Sequence, residues 1–323
     1  MLKRTQNKVA ESRFTLSAVV AYAIVIWLVS GMLIPQLPLT TEGIRQGAWI
    51  PFVCFMVSAY LMVELNNSNA LIRIYSRTVS CSFIVLICSA SFLFNSLAGS
   101  IVQLSLIAFF ICFFRCYQDR QSMGWTFYAF LCIGLASTVF IQVLFYVPFL
   151  WIMMFYRLSS LNWRTFLASI VGLITPYWFA VPWFIYQGDP EPLFQHLVSI
   201  IDFQFSYDYH QFTVNQLLLL VFVMALGITG IVHYLRRQSA DGIRIRLLYR
   251  CFIQIWFITT FFIFLQPQHY DMLIRILIIS TSPLIAHFLS LTYTRITNIA
   301  FYVICATAFI MAVFNLWMPS LTF

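Results

Sequence analysis

The sequence predicts an all-α protein, a polytopic transmembrane helical bundle of about eleven helices, and three observations carry that prediction. Of 323 residues, 62% are hydrophobic and only 9% are charged, more apolar surface than a soluble core can enclose. Apolar runs of membrane-spanning length recur along the whole chain. The eighteen Lys and Arg sit singly or in pairs between these runs, where topology signals belong. They form no patch interleaved with exposed aromatics, so the net charge of +8 does not point to nucleic acid as a partner. The eight cysteines lie in or beside apolar runs and build no disulfide framework.

In order, the basic segment MLKRTQNKVAESRF leads into helix one, Phe14–Ile34, stopped by Pro35 and Pro38. A short loop with Glu42 and Arg45 precedes helix two, Trp49–Leu65, and the weakly amphipathic connector Asn66–Arg77 suits an interface. Helices three (Thr78–Leu97) and four (Ile101–Phe114) are separated by Ala98, Gly99 and Ser100, which reads as a tight hairpin. The nearly uncharged run from Met123 to Tyr156 is too long for one span and divides near Thr138 to Gln142 into two short helices, Pro148 in the second. Helix seven, Thr165–Tyr186, is interrupted by Pro176 and Pro182. Helix eight (Thr213–Leu235), the basic connector RRQSADGIRIRLLYR, helix nine (Cys251–Leu265), helix ten (Met272–Thr292) and helix eleven (Asn298–Trp317) complete one integral membrane domain.

With the amino terminus cytoplasmic, sixteen Lys and Arg fall inside and only Arg45 and Arg275 outside, the asymmetry expected of a bacterial inner-membrane protein with a periplasmic carboxyl terminus. The periplasmic loop at 187–211 then gathers much of the polar chemistry: Asp189, Glu191, His196, Asp202, Asp208 and His210. Asp189, Pro190 and Glu191 form a helix-start signal. The apolar spacing after it predicts an amphipathic helix in the interface, either a resting structural element or a binding surface. Phe203 to His210 alternates aromatic and polar side chains, as an extended segment with two unlike faces would.

The turn QPQHYD brings His269 and Asp271 before Arg275, and the last two share a helix face. An arginine one turn inside a membrane helix either pairs structurally or lines a polar cavity that takes a phosphate or carboxylate. His233 and His287 each lack a second histidine on their own helix, so no metal or haem site is expected and no cofactor is implied. Catalytic motifs of high specificity are absent from the sequence.

Over Phe127 to Phe184, the small-residue run CIGLAST, the stretch ending at Pro148, the connector WIMMFYRLSSLNWR and the proline-spaced GLITPYWFAVPWF resemble the central region of the GT-C superfamily of polyprenyl-phosphate-sugar glycosyltransferases. The whole chain, including HYDMLIRILIISTSPLIAHF, also resembles an uncharacterised family of bacterial polytopic membrane proteins. The first resemblance implies a lipid-linked sugar handled at the outer face, with Glu42 as the catalytic acid in the place where the superfamily usually has Asp. Under it Arg275, with Asp271 and His269, would hold the lipid phosphate, and the loop residues would meet the acceptor. The alternative is a membrane subunit without catalysis that docks a partner protein. Convergence of Glu42, Asp271 and Arg275 on one cavity is expected of the first reading, and dispersal of the second.

Overall fold

The computed structural model describes residues 4–33, 49–188, 191–200 and 212–317, and over these the protein is helical, with no strand among them. Seven helices are long and apolar enough to cross a membrane. They are α3 (Ile50–Asn69), α5 (Leu97–Arg115), α8 (Trp163–Gln187), α10 (Val214–Arg237), α11 (Ile243–Leu265), α12 (Tyr270–Leu291) and α13 (Arg295–Trp317). A bent pair, α1 (Thr5–Glu11) and α2 (Thr15–Leu33), turns by 89° at its break. Shorter helices are α4 (Thr78–Cys88), α6 (Met123–Ser137), α7 (Val147–Tyr156) and α9 (Glu191–Val198). These lengths and compositions fit a membrane-embedded protein.

The chain forms two compact units, Met1–Ser100 with Asp208–Phe323, and Ile101–Tyr207. In the first, α12 is the central helix and packs against α1, α4, α10 and α11. Its side chains from Leu273 to His287 are all buried, so its apolar surface meets protein where other helices would meet lipid. Close approach there depends on small residues. A Cβ on Gly230 would stand 2.7 Å from the Leu284 carbonyl carbon, so α10 and α12 touch at backbone.

The hairpin expected at Ala98 to Ser100 is not where the chain turns. α4 ends at Cys88, a 3₁₀ turn spans Ser91–Asn95, and α5 begins at Leu97. Ser96 sets that start, because its hydroxyl accepts from the Gly99 amide at 3.0 Å. The unwound carbonyls then need donors, since water cannot supply them within a membrane. Asn315 Nδ2 donates to the Ser89 carbonyl at 2.6 Å, and the Arg275 guanidinium donates to that of Leu93.

In the second unit, the run from Met123 to Tyr156 breaks at 138–140, inside the predicted interval, into α6 and a segment that begins as 3₁₀ (Ile141–Tyr146) and continues as α7. α8 was expected to be interrupted at its prolines, yet it runs through Pro176 and Pro182 to Gln187 and stops at Gly188, whose φ of 74° favours glycine. Proline within a helix is tolerated at membrane depth, and Pro176 seats against Gly134 of α6. An Asn162–Thr165 capping box starts α8.

The α6–α8 crossing is built on Gly134 and Gly172: a Cβ on Gly172 would meet the Phe127 carbonyl oxygen at 2.6 Å, and one on Gly134 the Leu173 oxygen at 2.8 Å. Neither backbone can yield locally. Gly172→Leu should therefore force the helices apart and cost about 3 kcal/mol or more, the upper range of overpacking. Thermal unfolding of purified protein would show it, and a melting temperature equal to wild type would refute the close crossing.

Candidate functional site

Of the acidic residues and histidines of the loop at 187–211, only Glu191 and His196 are among the described residues. Glu42, Asp189, Asp202, Asp208 and His210 lie outside them. The extended segment from Phe203 to His210 falls there too. Glu191 opens α9 and its carboxylate accepts from Gln195 Nε2 at 3.2 Å. His196 Nε2 lies 2.9 Å from the Ser137 carbonyl oxygen, which ties α9 to the end of α6, while Phe194 and Leu197 stay exposed.

At the start of α12, Asp271 accepts from Gln216 Nε2 at 3.4 Å, and the Tyr270 hydroxyl donates to the Gln216 carbonyl at 2.7 Å. His269 precedes them at the end of a 3₁₀ turn. Arg275, only 2% exposed, spends its guanidinium on the Leu93 carbonyl and lies directly against Gly99. That environment gives Arg275 a structural task, holding an unwound strand of backbone in a dry interior.

At the other end of α12, three segments distant in sequence meet. The loop after α10 carries Asp241, whose side chain is 1% exposed. Its Oδ1 lies 2.9 Å from Arg73 Nε, and its Oδ2 lies 3.1 Å from Nε2 of His287, which is fully buried in α12. Arg73 also donates through Nη1 to the Ala240 carbonyl at 3.0 Å. His287 Nδ1 stands 3.3 Å from Nδ1 of His233 on α10.

The carboxylate fixes how the protons are arranged. It can only accept, so His287 Nε2 carries hydrogen. A neutral His287 then accepts at Nδ1 from His233 Nδ1–H, and a cationic one donates there instead. The row Asp241–His287–His233 can thus hold one proton in two arrangements. Because His287 faces its neighbours through opposite ring nitrogens, the three groups cannot converge on one ion, and no three such groups among the described residues are placed for a metal.

Aromatic packing holds the row in place. Tyr234 and Tyr249 stack at 4.9 Å, and both present edges to the His287 ring. Their hydroxyls are used, Tyr234 on the Arg246 carbonyl at 3.0 Å and Tyr249 on that of Pro283 at 3.4 Å. Beside it Arg244 Nη2 donates to Asn69 Oδ1 at 3.1 Å, which ties the start of α11 to the end of α3.

Outside the row opens a cleft of about 740 Å³, walled by Arg73, His233, Arg236, Arg237 and the hydroxyl-bearing residues Thr292, Thr294 and Thr297. Arg236 and Arg237 belong to the last turn of α10, where cations complement the helix dipole. Thr294 and Thr297 exchange backbone and side-chain hydrogen bonds and cap the start of α13. Three guanidiniums, two capping threonines and a histidine among the lining residues offer hydrogen-bond donors of the kind that suit an anion with several oxygens.

The sequence concealed this site. Its one clue is that Asp241 is the single carboxylate in a connector with five arginines, where a charge placed only for topology has no reason to stand. Compared with known protein families, characterised proteins and solved structures, the chain finds no match.

Proposed function

We propose that the protein is an integral membrane protein that binds a phosphate-bearing ligand in the basic cleft. The observation that carries this reading is the anchoring of Arg73 by Asp241, a carboxylate buried with His287 behind it. Arginines that only set topology can move freely in water. Arg73 is instead held by two bonds, to Asp241 and to the Ala240 carbonyl, with its side chain still 40% exposed to the cleft side of the loop. A guanidinium oriented in advance loses less freedom on meeting an oxyanion.

The positive-inside rule puts this end at the cytoplasmic face. The proposal keeps the lipid-phosphate chemistry implied by the GT-C resemblance but moves it along α12, about 20 Å from Arg275 at 1.5 Å per residue. It makes recognition, rather than glycosyl transfer, the property to measure first.

The experiment is calorimetric titration of the purified full chain with inorganic phosphate and with glycerol 3-phosphate, at low and high salt. Arg73→Gln and the pair Arg236→Gln with Arg237→Gln should each weaken binding by about tenfold or more, since a charge-assisted hydrogen bond contributes about 1.5–3 kcal/mol. Affinity should also fall with ionic strength. Absence of binding by wild type, or equal binding by the variants, would rule the reading out.

A further inference from the structure

We infer that the ligand of the basic cleft is an anionic lipid, with part of one acyl chain reaching past Gln6 into an apolar slot further along α12 and α13. The inference rests on the proposed phosphate-binding role of the cleft and adds the chemical class of the ligand.

The slot is a separate cavity of about 130 Å³, and its walls come from α1, α2, α4, α10, α12 and α13. On α13, Thr297 lines the cleft, while Phe301, Ile304, Cys305 and Ala308 line the slot. Those positions follow one another at helical spacing and form a single stripe. On α12, Phe288 and Thr292 line the cleft, and Ile285 and Leu289 line the slot on the same side of the helix. The two helices therefore present a basic cleft and an apolar slot on the same side, with α1 between them: the Gln6 amide donates to Asn298 Oδ1 on α13 at 3.1 Å, and Asn7 Nδ2 to the Thr292 carbonyl at 3.0 Å.

Gln6 marks the junction. It lines the slot, and its Nε2 donates to Thr292 Oγ1 at 2.8 Å and to the Leu289 carbonyl at 2.6 Å, so its side chain stands between slot and cleft. Gln6 is 1% exposed, and its Oε1 has no hydrogen-bond partner among the described residues. A buried amide oxygen left without a donor is costly, and a hydroxyl of a ligand linker passing between head and chain would satisfy it. Other polar groups of the wall face their own protein: the Thr15 hydroxyl donates to the Val9 carbonyl at 2.5 Å, and that of Thr78 meets Ser76 Oγ at 2.9 Å. What remains towards the slot is apolar.

The size selects a chain segment. A dry cavity of roughly 150 Å³ admits a benzene ring, so this slot takes several methylenes of one chain and excludes a pair of whole tails. Charge selects the head, because Arg73, Arg236 and Arg237 stand at the open end.

The test uses the full chain in amphipol and a series of straight-chain monoalkyl phosphates of increasing length, with inorganic phosphate as the chain-free probe. Affinity should rise roughly fourfold per methylene while the slot fills, from about 0.8 kcal/mol per buried methylene, and then level off. Ser82→Phe, which plugs the slot from α4, should flatten that rise and leave inorganic phosphate binding unchanged. Cys305→Trp plugs it from the exposed side of α13 and serves where Ser82→Phe fails to fold. Inorganic phosphate binding with no gain from the alkyl chain overturns the lipid inference and leaves the phosphate reading standing. A gain that persists in both plugged variants places the chain outside the slot and overturns it as well. Binding of neither probe overturns both.

Discussion

Replacing Arg275 with alanine is expected to destabilise the protein by about 4 kcal/mol, with the methionine variant losing less. Two terms add in the alanine variant. Truncating a large buried side chain leaves a cavity, which costs about 2–5 kcal/mol for comparable deletions. The Leu93 carbonyl, held by the guanidinium at the unwound end of α4, also loses its donor, at about 1–3 kcal/mol. Methionine refills much of the volume but donates nothing, so the loss it retains reports the carbonyl and the difference between the two variants reports the cavity. Thermal unfolding in one detergent would measure both. A loss below about 1 kcal/mol for alanine would mean that the 3₁₀ turn at Ser91–Asn95 finds another donor. The same experiment separates structure from ligand binding, since a residue held only for an anion could be removed with little effect on the empty protein.

The second large effect is expected at Asp241. Its two contacts differ in weight, because Arg73 is 40% exposed and His287 is fully buried. An exposed ion pair contributes about 1 kcal/mol or less. The buried hydrogen bond to His287 contributes more, because its loss leaves an imidazole N–H enclosed without an acceptor. Asp241→Ala should thus cost about 2–4 kcal/mol, most of it through His287. The check is a double-mutant cycle: Asp241→Ala with His287→Phe should cost clearly less than the sum of the two single changes, by about 1–3 kcal/mol. Additive losses would show that the carboxylate and the imidazole act independently.

These two residues also show which parts of the molecule could be read from the sequence. Local signals served well. The start of α10 behind Thr213 and the break near Thr138 follow from capping residues and run lengths, which act within one or two turns. Ser96 was the missed local signal, a cap hidden in an apolar context that moved the start of α5 upstream of Gly99. Prolines misled at α8, because a membrane helix tolerates proline in its interior and this one runs through both.

Sites formed across segments were not legible. Asp241, His287, His233 and Arg73 are each single polar residues at an interval that no helical period relates, and only folding brings them together. Asp271 and Arg275 share a helix face and attract one another's charge, as their spacing predicts, while Asp271 also accepts from Gln216 and Arg275 also donates to Leu93, which the spacing does not show. Glu42, which the GT-C resemblance makes the acid, lies outside the described residues. Membrane-depth polar residues in this chain serve unwound backbone as readily as ligands, and sequence alone does not distinguish the two tasks.

The contacts of α1 have a consequence for how the protein is made. Gln6 and Asn7 bond to Leu289 and Thr292, so α1 completes its contacts with residues synthesised 283 to 286 positions later. The unit containing them is discontinuous, with Ile101–Tyr207 inserted between its halves. While a ribosome is still translating, α6 and α8 already have one another, whereas α1 and α4 have no α12 to pack against. The early helices must wait in the bilayer as unassembled pieces until translation reaches the far half of their unit. The cleft therefore comes into being in a single late event, and a nascent chain halted before α12 cannot carry it.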